Sequence, residues 1–297
     1  MDSASMILSD YETREIATVD GLTLSVRDYA PLAPATGQPV LCLHGLTRNS
    51  ADFEILAPRI AALGRRVIVP DMRGRGRSAY DPDPAHYVPT VYAQDVLTLL
   101  DALAIPQAVF IGSSMGAIIA MVVAALAPDR IAGAVLNDVG PKLEQAGLAR
   151  IGGYVGRGGV VRSWEEAAEA MRAINGSAFP QRLDDDGYWR DLARRNFRER
   201  PDGALEPAYD ESIALAFTDP ETAASTDMTP LFRALVAKPV LSVRGALSDL
   251  LSPRGVADMR AMKPDLMAID VPEVGHAPML DEPEAWDAVL DFLARAP

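Results

Sequence analysis

Apolar and polar positions follow two different periods along this chain, and each period predicts one kind of element. Residues 13–19 and 22–29 alternate on either side of Asp20-Gly21, a dipeptide suited to a tight turn, which predicts a β-hairpin. Short apolar runs such as 40–43 and 131–137 then alternate with segments of helical length and helical periodicity. Strands that are apolar on both faces and separated by helices predict an α/β fold, a mainly parallel sheet with helices on both faces.

The alternation of strands and helices stops after Pro141. From there to Lys238 the chain has helical patterns without strand patterns, such as 164–174 after a Ser163-x-x-Glu166 capping box. The sequence therefore predicts a core of residues 1–140 and 239–297. A helical cap, 141–238, is inserted after the sixth core strand, and some of its aromatic residues are expected to line a pocket.

Composition and charge narrow the classes of partner. The 297 residues are 49% hydrophobic and 23% charged, as in a soluble globular protein. Lys and Arg number 28 against 41 Asp and Glu, a net charge of −13 that repels nucleic acids and anionic membranes. The single cysteine, Cys42, lies in a predicted core strand and cannot form an intramolecular disulfide. Nothing in the sequence indicates an oligomeric state.

The metal-ligand residues, the amino-terminal segment and the longest apolar helix give expectations about cofactors and cellular compartment. Three histidines and one cysteine make a catalytic zinc site improbable, so we expect no metal and no cofactor. Residues 1–12 contain no basic side chain and do not resemble a signal peptide. The longest apolar helix candidate, 116–127, is too short to cross a bilayer, so we expect a cytoplasmic protein.

The segment Gly112-Ser113-Ser114-Met115-Gly116 carries the clearest chemical signal. It matches G-x-S-x-G between an apolar strand pattern and an apolar helix pattern. Such a turn is crowded two positions either side of the nucleophile, and glycine stands at both positions only when Ser114 is the centre. Taken alone, the motif also fits an ordinary Gly/Ser turn before a buried helix.

Candidate partners for Ser114 follow later strands. Asp249 comes after the apolar run 239–243, and His276 comes after 267–271. The order Ser, Asp, His is the one used on α/β-hydrolase sheets. Asp138, after the run 131–137, is an alternative acid, and His44 is an alternative histidine.

Several separate segments together resemble the α/β-hydrolase superfamily over nearly the whole chain. They are 44–47, 70–78, 112–116, 245–249 and 275–276. The resemblance implies that Ser114, Asp249 and His276 form a catalytic triad and that His44 supports the oxyanion loop. It also implies an oxyanion hole built from the backbone N–H groups of Leu46 and Met115.

With serine as the nucleophile at the elbow, the chain resembles esterases, lactonases, thioesterases and carbon–carbon bond hydrolases. Haloalkane dehalogenases and epoxide hydrolases have aspartate at that position. We expect hydrolysis of a carboxylic ester or lactone of a small hydrophobic substrate through an acyl-enzyme. Cleavage of carbon–carbon bonds in ring-cleavage dienone acids is the alternative, although Leu46 and Ser113 depart from that subfamily's pattern. A non-catalytic ligand-binding protein on the same fold is a further alternative.

Overall fold

The computed structural model describes residues 11–215 and 227–297. Residues 1–10, where a signal peptide was considered, lie outside the described residues. The strands are β1 (Glu12–Ala17), β2 (Thr23–Tyr29), β3 (Val40–Leu43), β4 (Val67–Pro70), β5 (Ala108–Ser113), β6 (Ile131–Asn137), β7 (Phe197–Glu199), β8 (Leu205–Pro207), β9 (Val240–Gly245) and β10 (Met267–Val271).

Eight of these strands form one sheet in the described residues, in the order β1-β2-β4-β3-β5-β6-β9-β10. The β1–β2 and β2–β4 pairs are antiparallel, and every other pair in the sheet is parallel. The predicted hairpin and the mainly parallel sheet are confirmed. All the parallel strands therefore end at one edge, where loops from neighbouring strands meet.

Helices cover both faces of the sheet. They are α1 (Leu56–Ala62), α2 (Pro89–Ala102), α3 (Met115–Leu126), α4 (Gln145–Tyr154), α5 (Trp164–Asn175), α6 (Asp186–Asn196), α7 (Thr229–Arg233), α8 (Pro253–Met262) and α9 (Pro283–Arg295). In β3, Leu41 joins the core under α2 and α3, whereas Val40 and Cys42 join the core under α1 and α9. This alternation explains why the strand is apolar at every position. In the described residues no helix is long and apolar enough to span a membrane.

The sequence of residues 51–62, preceded by Ser50, is typical of one capped helix, but the structure divides this segment into two elements. Residues Ser50–Phe53 form a 3₁₀ turn, and α1 begins only at Leu56. Asn49, not Ser50, caps the turn, because its side chain accepts a hydrogen bond from the Ala51 amide at 2.9 Å. Pro58 does not interrupt α1, since it lies in the first turn, where no amide hydrogen bond is required.

The segment between β6 and β9 is mostly helical, but the expectation of no strands there is wrong. β7 and β8 pair as a short antiparallel hairpin. Three residues per strand are too few to produce an alternating pattern in the sequence. Within this segment the fully buried Trp189 of α6 packs in one apolar cluster with α5. The boundaries 141 and 238 of a separate cap domain remain a prediction.

Candidate active site

Ser114 lies at a sharp turn between β5 and α3. Its backbone has φ 50° and ψ −112°, a left-handed conformation that is unfavourable for a residue with a side chain. A Cβ atom on Gly116 would lie 2.0 Å from the Leu43 carbonyl oxygen, and one on Gly112 would lie 2.3 Å from the Gly116 carbonyl carbon. The crowding that distinguishes Ser114 from Ser113 in the sequence is therefore present in the fold.

A chain of hydrogen bonds extends from Ser114 into the core. His276 Nε2 lies 2.9 Å from Ser114 Oγ, and His276 Nδ1 lies 2.7 Å from Asp138 Oδ2. The Asp138 side chain is completely buried. Its Oδ1 accepts a hydrogen bond from the Gly245 amide at 2.8 Å, and the Ser248 hydroxyl donates to Oδ2 at 2.5 Å. Both carboxylate oxygens are thus held in place.

The structure corrects the predicted acid. Among the described residues Asp249 forms no hydrogen bond with His276; it forms a bidentate ion pair with Arg150 of α4, with N···O distances of 2.6 and 2.8 Å. The hydrogen bond from Arg150 lowers the pKa of Asp249. Asp138 follows β6 and Asp249 lies in the loop after β9, and these strands are neighbours in the sheet. Both acids therefore reach the same region, but only Asp138 points towards His276.

The residues expected to form an oxyanion hole lie beside Ser114. Leu46 and Met115 both line the same cavity as the serine. Among the described residues, no acceptor lies within hydrogen-bond reach of either backbone amide. Two unpaired N–H groups beside a candidate nucleophile are available to a developing oxyanion.

Arg75 connects these two residues, a role that the sequence did not indicate. Its Nε donates to the Leu46 carbonyl at 2.9 Å, and its Nη2 lies 3.5 Å from the Met115 sulfur. The side chain is completely buried, with the guanidinium 4.8 Å from the centre of the Tyr92 ring. In the sequence, the arginine-rich segment 70–78 indicates only a family resemblance, because no spacing rule links it to residue 46.

His44, the alternative histidine, holds backbone groups of two loops and does not reach Ser114 by a hydrogen bond in the described residues. It is completely buried, and its Nε2 accepts a hydrogen bond from the Met72 amide at 3.0 Å. Its Nδ1 lies 2.8 Å from the Gly45 carbonyl oxygen. Burial lowers the pKa of His44, so the ring stays neutral with both nitrogens occupied by backbone groups. The ring therefore supports the loop that carries Leu46.

Ser114 and His276 open onto a cavity of about 550 Å³. Its wall is largely apolar and includes Ile118, Val139, Leu143, Leu148, Phe179 and Met228. Tyr154 and Phe179, from the segment between β6 and β9, also line it, as expected for some aromatics of that segment. An apolar cavity of this size fits a small organic ligand.

One group of potential metal ligands occurs among the described residues, formed by Asp20, Asp81 and His86. The guanidinium of Arg73 lies between the two carboxylates, with Nη1 2.8 Å from Asp20 and 2.6 Å from Asp81. Because Arg73 already neutralises these acids, the group is an ion-pair cluster that offers little to a cation.

Comparison with known proteins gives consistent matches. The family profile for the α/β-hydrolase fold matches residues 38–283. The chain is 36% identical over 271 residues to 3-hydroxybutyrate-oligomer hydrolase of Cupriavidus necator, covering 89% of this chain and 90% of that protein. It is 32% identical over 299 residues to 2-(acetamidomethylene)succinate hydrolase of Mesorhizobium japonicum, covering 99% of each.

Solved structures agree. An α/β hydrolase from Novosphingobium aromaticivorans superimposes with a TM-score of 0.90 at 43% identity, over 97% of this chain and 99% of that one. E-2-(acetamidomethylene)succinate hydrolase superimposes with a TM-score of 0.81 at 27% identity, over 96% and 99%. The family profile, the relatives and the solved structures all indicate the same fold as the sheet order and the sharp turn at Ser114. The chain therefore belongs to the α/β-hydrolase family.

Proposed function

We propose that this hydrolase cleaves a carboxylic ester or lactone of a small substrate through an acyl-enzyme. The observation that carries the proposal is the pair of short contacts from His276, 2.9 Å to Ser114 Oγ and 2.7 Å to Asp138 Oδ2. A serine, a histidine and a buried carboxylate in this geometry are the parts of a nucleophilic triad.

In the acylation step, Ser114 Oγ attacks the substrate carbonyl carbon while His276 Nε2 accepts the hydroxyl proton. The carbonyl oxygen becomes an oxyanion, for which the amides of Leu46 and Met115 are the available donors. Collapse of the tetrahedral intermediate breaks the bond to the alcohol, which takes the proton from His276. The acyl group stays on Ser114.

In the deacylation step, His276 accepts a proton from a water molecule that attacks the acyl-enzyme. A second tetrahedral intermediate then collapses, the acid leaves, and Ser114 Oγ recovers its proton from His276. Asp138 keeps Nδ1 of His276 protonated throughout and stabilises the imidazolium that forms in each step. Asp249, paired with Arg150, has no part in this proposed sequence.

The substrate range follows from the cavity. A volume of about 550 Å³ with a largely apolar wall suits short acyl or aryl groups. The relationship to 3-hydroxybutyrate-oligomer hydrolase supports short hydroxy-acid esters within this range.

A second candidate is hydrolysis of a carbon–carbon bond in a dienone acid by the same serine and histidine. The similarity to 2-(acetamidomethylene)succinate hydrolase over 99% of both chains supports this second candidate, because the substrate of that relative is an unsaturated succinate derivative. Leu46 and Ser113 remain departures from the pattern of enzymes that act on ring-cleavage products.

A substrate panel with a covalent probe tests the proposal. Aryl esters, lactones, thioesters and a coloured dienone acid are compared, and a fluorophosphonate reports whether a serine is activated. Ser114→Ala should abolish both labelling and hydrolysis, whereas Ser113→Ala, the neighbouring serine, should still be labelled. A preference for the dienone acid would favour the second candidate. An unlabelled wild type that cleaves nothing in the panel would refute both.

A further inference from the structure

Arg48 places a full positive charge in the wall of the apolar cavity. Among the described residues that line the cavity, Arg48 and Asp52 are the only Arg, Lys, Asp or Glu side chains. Keeping a charge in an apolar, partly buried position is costly unless the charge is well paired. Asp52 satisfies part of this requirement, and the guanidinium donors that it does not reach are available to a ligand.

Asp52 occupies only one edge of the Arg48 guanidinium. Nε donates to Asp52 Oδ2 and Nη2 donates to Asp52 Oδ1, both at 2.8 Å. This leaves the edge formed by Nη1 and the second hydrogen of Nη2. No oxygen in the described part of the chain accepts from Nη1, and the second hydrogen of Nη2 has only a weak acceptor, the Met279 sulfur at 3.8 Å. A guanidinium with one edge fixed presents its other edge in a defined direction.

The Arg48 side chain is 16% exposed, so the guanidinium is accessible only through a small opening or the cavity. Burial acts to lower the pKa of Arg48, but the Asp52 carboxylate opposes it and the net change is upward. The side chain therefore remains a cation when water is displaced from the cavity by a ligand.

Arg48 is also close to the reacting serine. A Cβ atom on Gly45 would lie 3.3 Å from Arg48 Cγ and 3.9 Å from Ser114 Cβ. The arginine stem and the nucleophile thus flank the same glycine of the Leu46 loop. Because Arg48 and Ser114 also line the same cavity, one ligand can extend from the serine to the arginine.

We propose that the free edge of Arg48 binds a carboxylate of the substrate, so that the preferred esters are those of short acids with a second, ionised carboxyl group. A carboxylate matches the planar, two-donor edge of a guanidinium. A net charge of −13 disfavours more highly charged anions such as phosphate esters. This inference rests on the proposed ester hydrolysis.

Matched pairs of methyl esters test the inference. Monomethyl succinate is compared with methyl butanoate, and monomethyl glutarate with methyl pentanoate, by pH-stat. The readout is the ratio of kcat/KM for the anionic ester to that for the neutral ester. In Arg48→Gln this ratio should fall about tenfold to a hundredfold, the range for a hydrogen bond to a charged group. Arg48→Lys keeps the charge without the two-donor edge, so its ratio should lie between those of the wild type and Arg48→Gln.

Arg295→Gln is the matched control. Arg295 also pairs with an acid four residues away, Asp291, but on the exposed face of α9. Its ratio should equal that of the wild type. In a second measurement, butanoate should inhibit hydrolysis of methyl butanoate by the wild type much more strongly than butanamide does, and this preference should decrease in Arg48→Gln.

The outcomes separate the two proposals. If the wild type cleaves neutral esters but the ratio is the same in Arg48→Gln, or if butanamide inhibits as well as butanoate, the role of Arg48 is refuted and ester hydrolysis stands. If the wild type is not labelled at Ser114 and cleaves no ester, ester hydrolysis is refuted and the role of Arg48 with it.

Discussion

Replacing Asp138 by asparagine should reduce activity far more than the same replacement at Asp249. The Asp138 carboxylate accepts three hydrogen bonds, from the Gly245 amide, the Ser248 hydroxyl and His276 Nδ1. Asparagine has nearly the same shape but only one acceptor oxygen. At least one of the three groups that donate to Asp138 therefore loses its acceptor, or must accept a hydrogen bond from the asparagine NH₂ instead of donating one.

The simplest accommodation directs the new NH₂ group towards His276. Nδ1 would then act as the acceptor, and the proton would move to Nε2, the atom 2.9 Å from Ser114 Oγ. A protonated Nε2 cannot take the serine proton. In a serine protease the corresponding change lowers kcat about 10⁴-fold, and we expect a loss of similar size here.

At Asp249 the same change breaks an ion pair with Arg150 in which both side chains are about one-third exposed. Such pairs contribute about 0–1 kcal/mol, and among the described residues neither Asp249 nor Arg150 forms a hydrogen bond with His276. We therefore expect kcat for Asp249→Asn to stay within about fivefold of the wild type, the factor that corresponds to about 1 kcal/mol.

The assay is kcat on an aryl ester for both variants, with thermal unfolding as a check that each is folded. Asp138→Asn should also lose fluorophosphonate labelling in parallel with kcat, because the probe needs the same activated serine. If Asp249→Asn loses as much activity as Asp138→Asn or more, the assignment of Asp138 is wrong.

Two further predictions concern the oxyanion loop and acid stability. Arg75→Lys keeps the buried charge but cannot reach Leu46 and Met115 together, so kcat and the labelling rate should fall together, by up to about a hundredfold; a lower melting temperature with unchanged kcat would make Arg75 purely structural. The hydrogen bond from Arg73 is the main reason that the pKa of Asp20 falls from 3.8 to about 2. Because the folded pKa is the lower one, the stabilisation from Asp20 is complete above pH 3.8 and lost as pH falls towards 2. Urea unfolding should therefore show Asp20→Asn less stable than the wild type at pH 6, with a difference that shrinks as pH falls from 3.8 through 2; a difference that does not shrink over this range would contradict this linkage.

Features that depend on neighbouring residues could be predicted from the sequence. The turn at Ser114 requires small residues at Gly112 and Gly116 because backbone from the same short segment and from β3 approaches closely. Likewise, the alternation of apolar strands and helices predicts a parallel sheet, because each strand must bury both faces. These constraints act between residues that are close in the chain, so they can be predicted from one sequence.

The choice between Asp138 and Asp249 could not be made in this way. Both acids follow strands that end at the same edge of the sheet, and strand position is all that the sequence pattern reports. Only the folded chain brings Arg150 of α4 to Asp249 and leaves Asp138 facing His276. The positions of Arg75 and Arg48 beside the oxyanion loop likewise became visible only in the structure.

The sequence by itself thus determined the fold, the serine at the elbow and the histidine that reaches it, because periodicity and backbone crowding are properties of adjacent residues. Tertiary structure alone decided which carboxylate meets His276 and which cation lines the cavity. The choice of acid depends on partners that are 138 residues apart for Asp138 and His276 and 99 residues apart for Asp249 and Arg150. The position of the cation depends on the direction of its side chain, and no local pattern is sensitive to either.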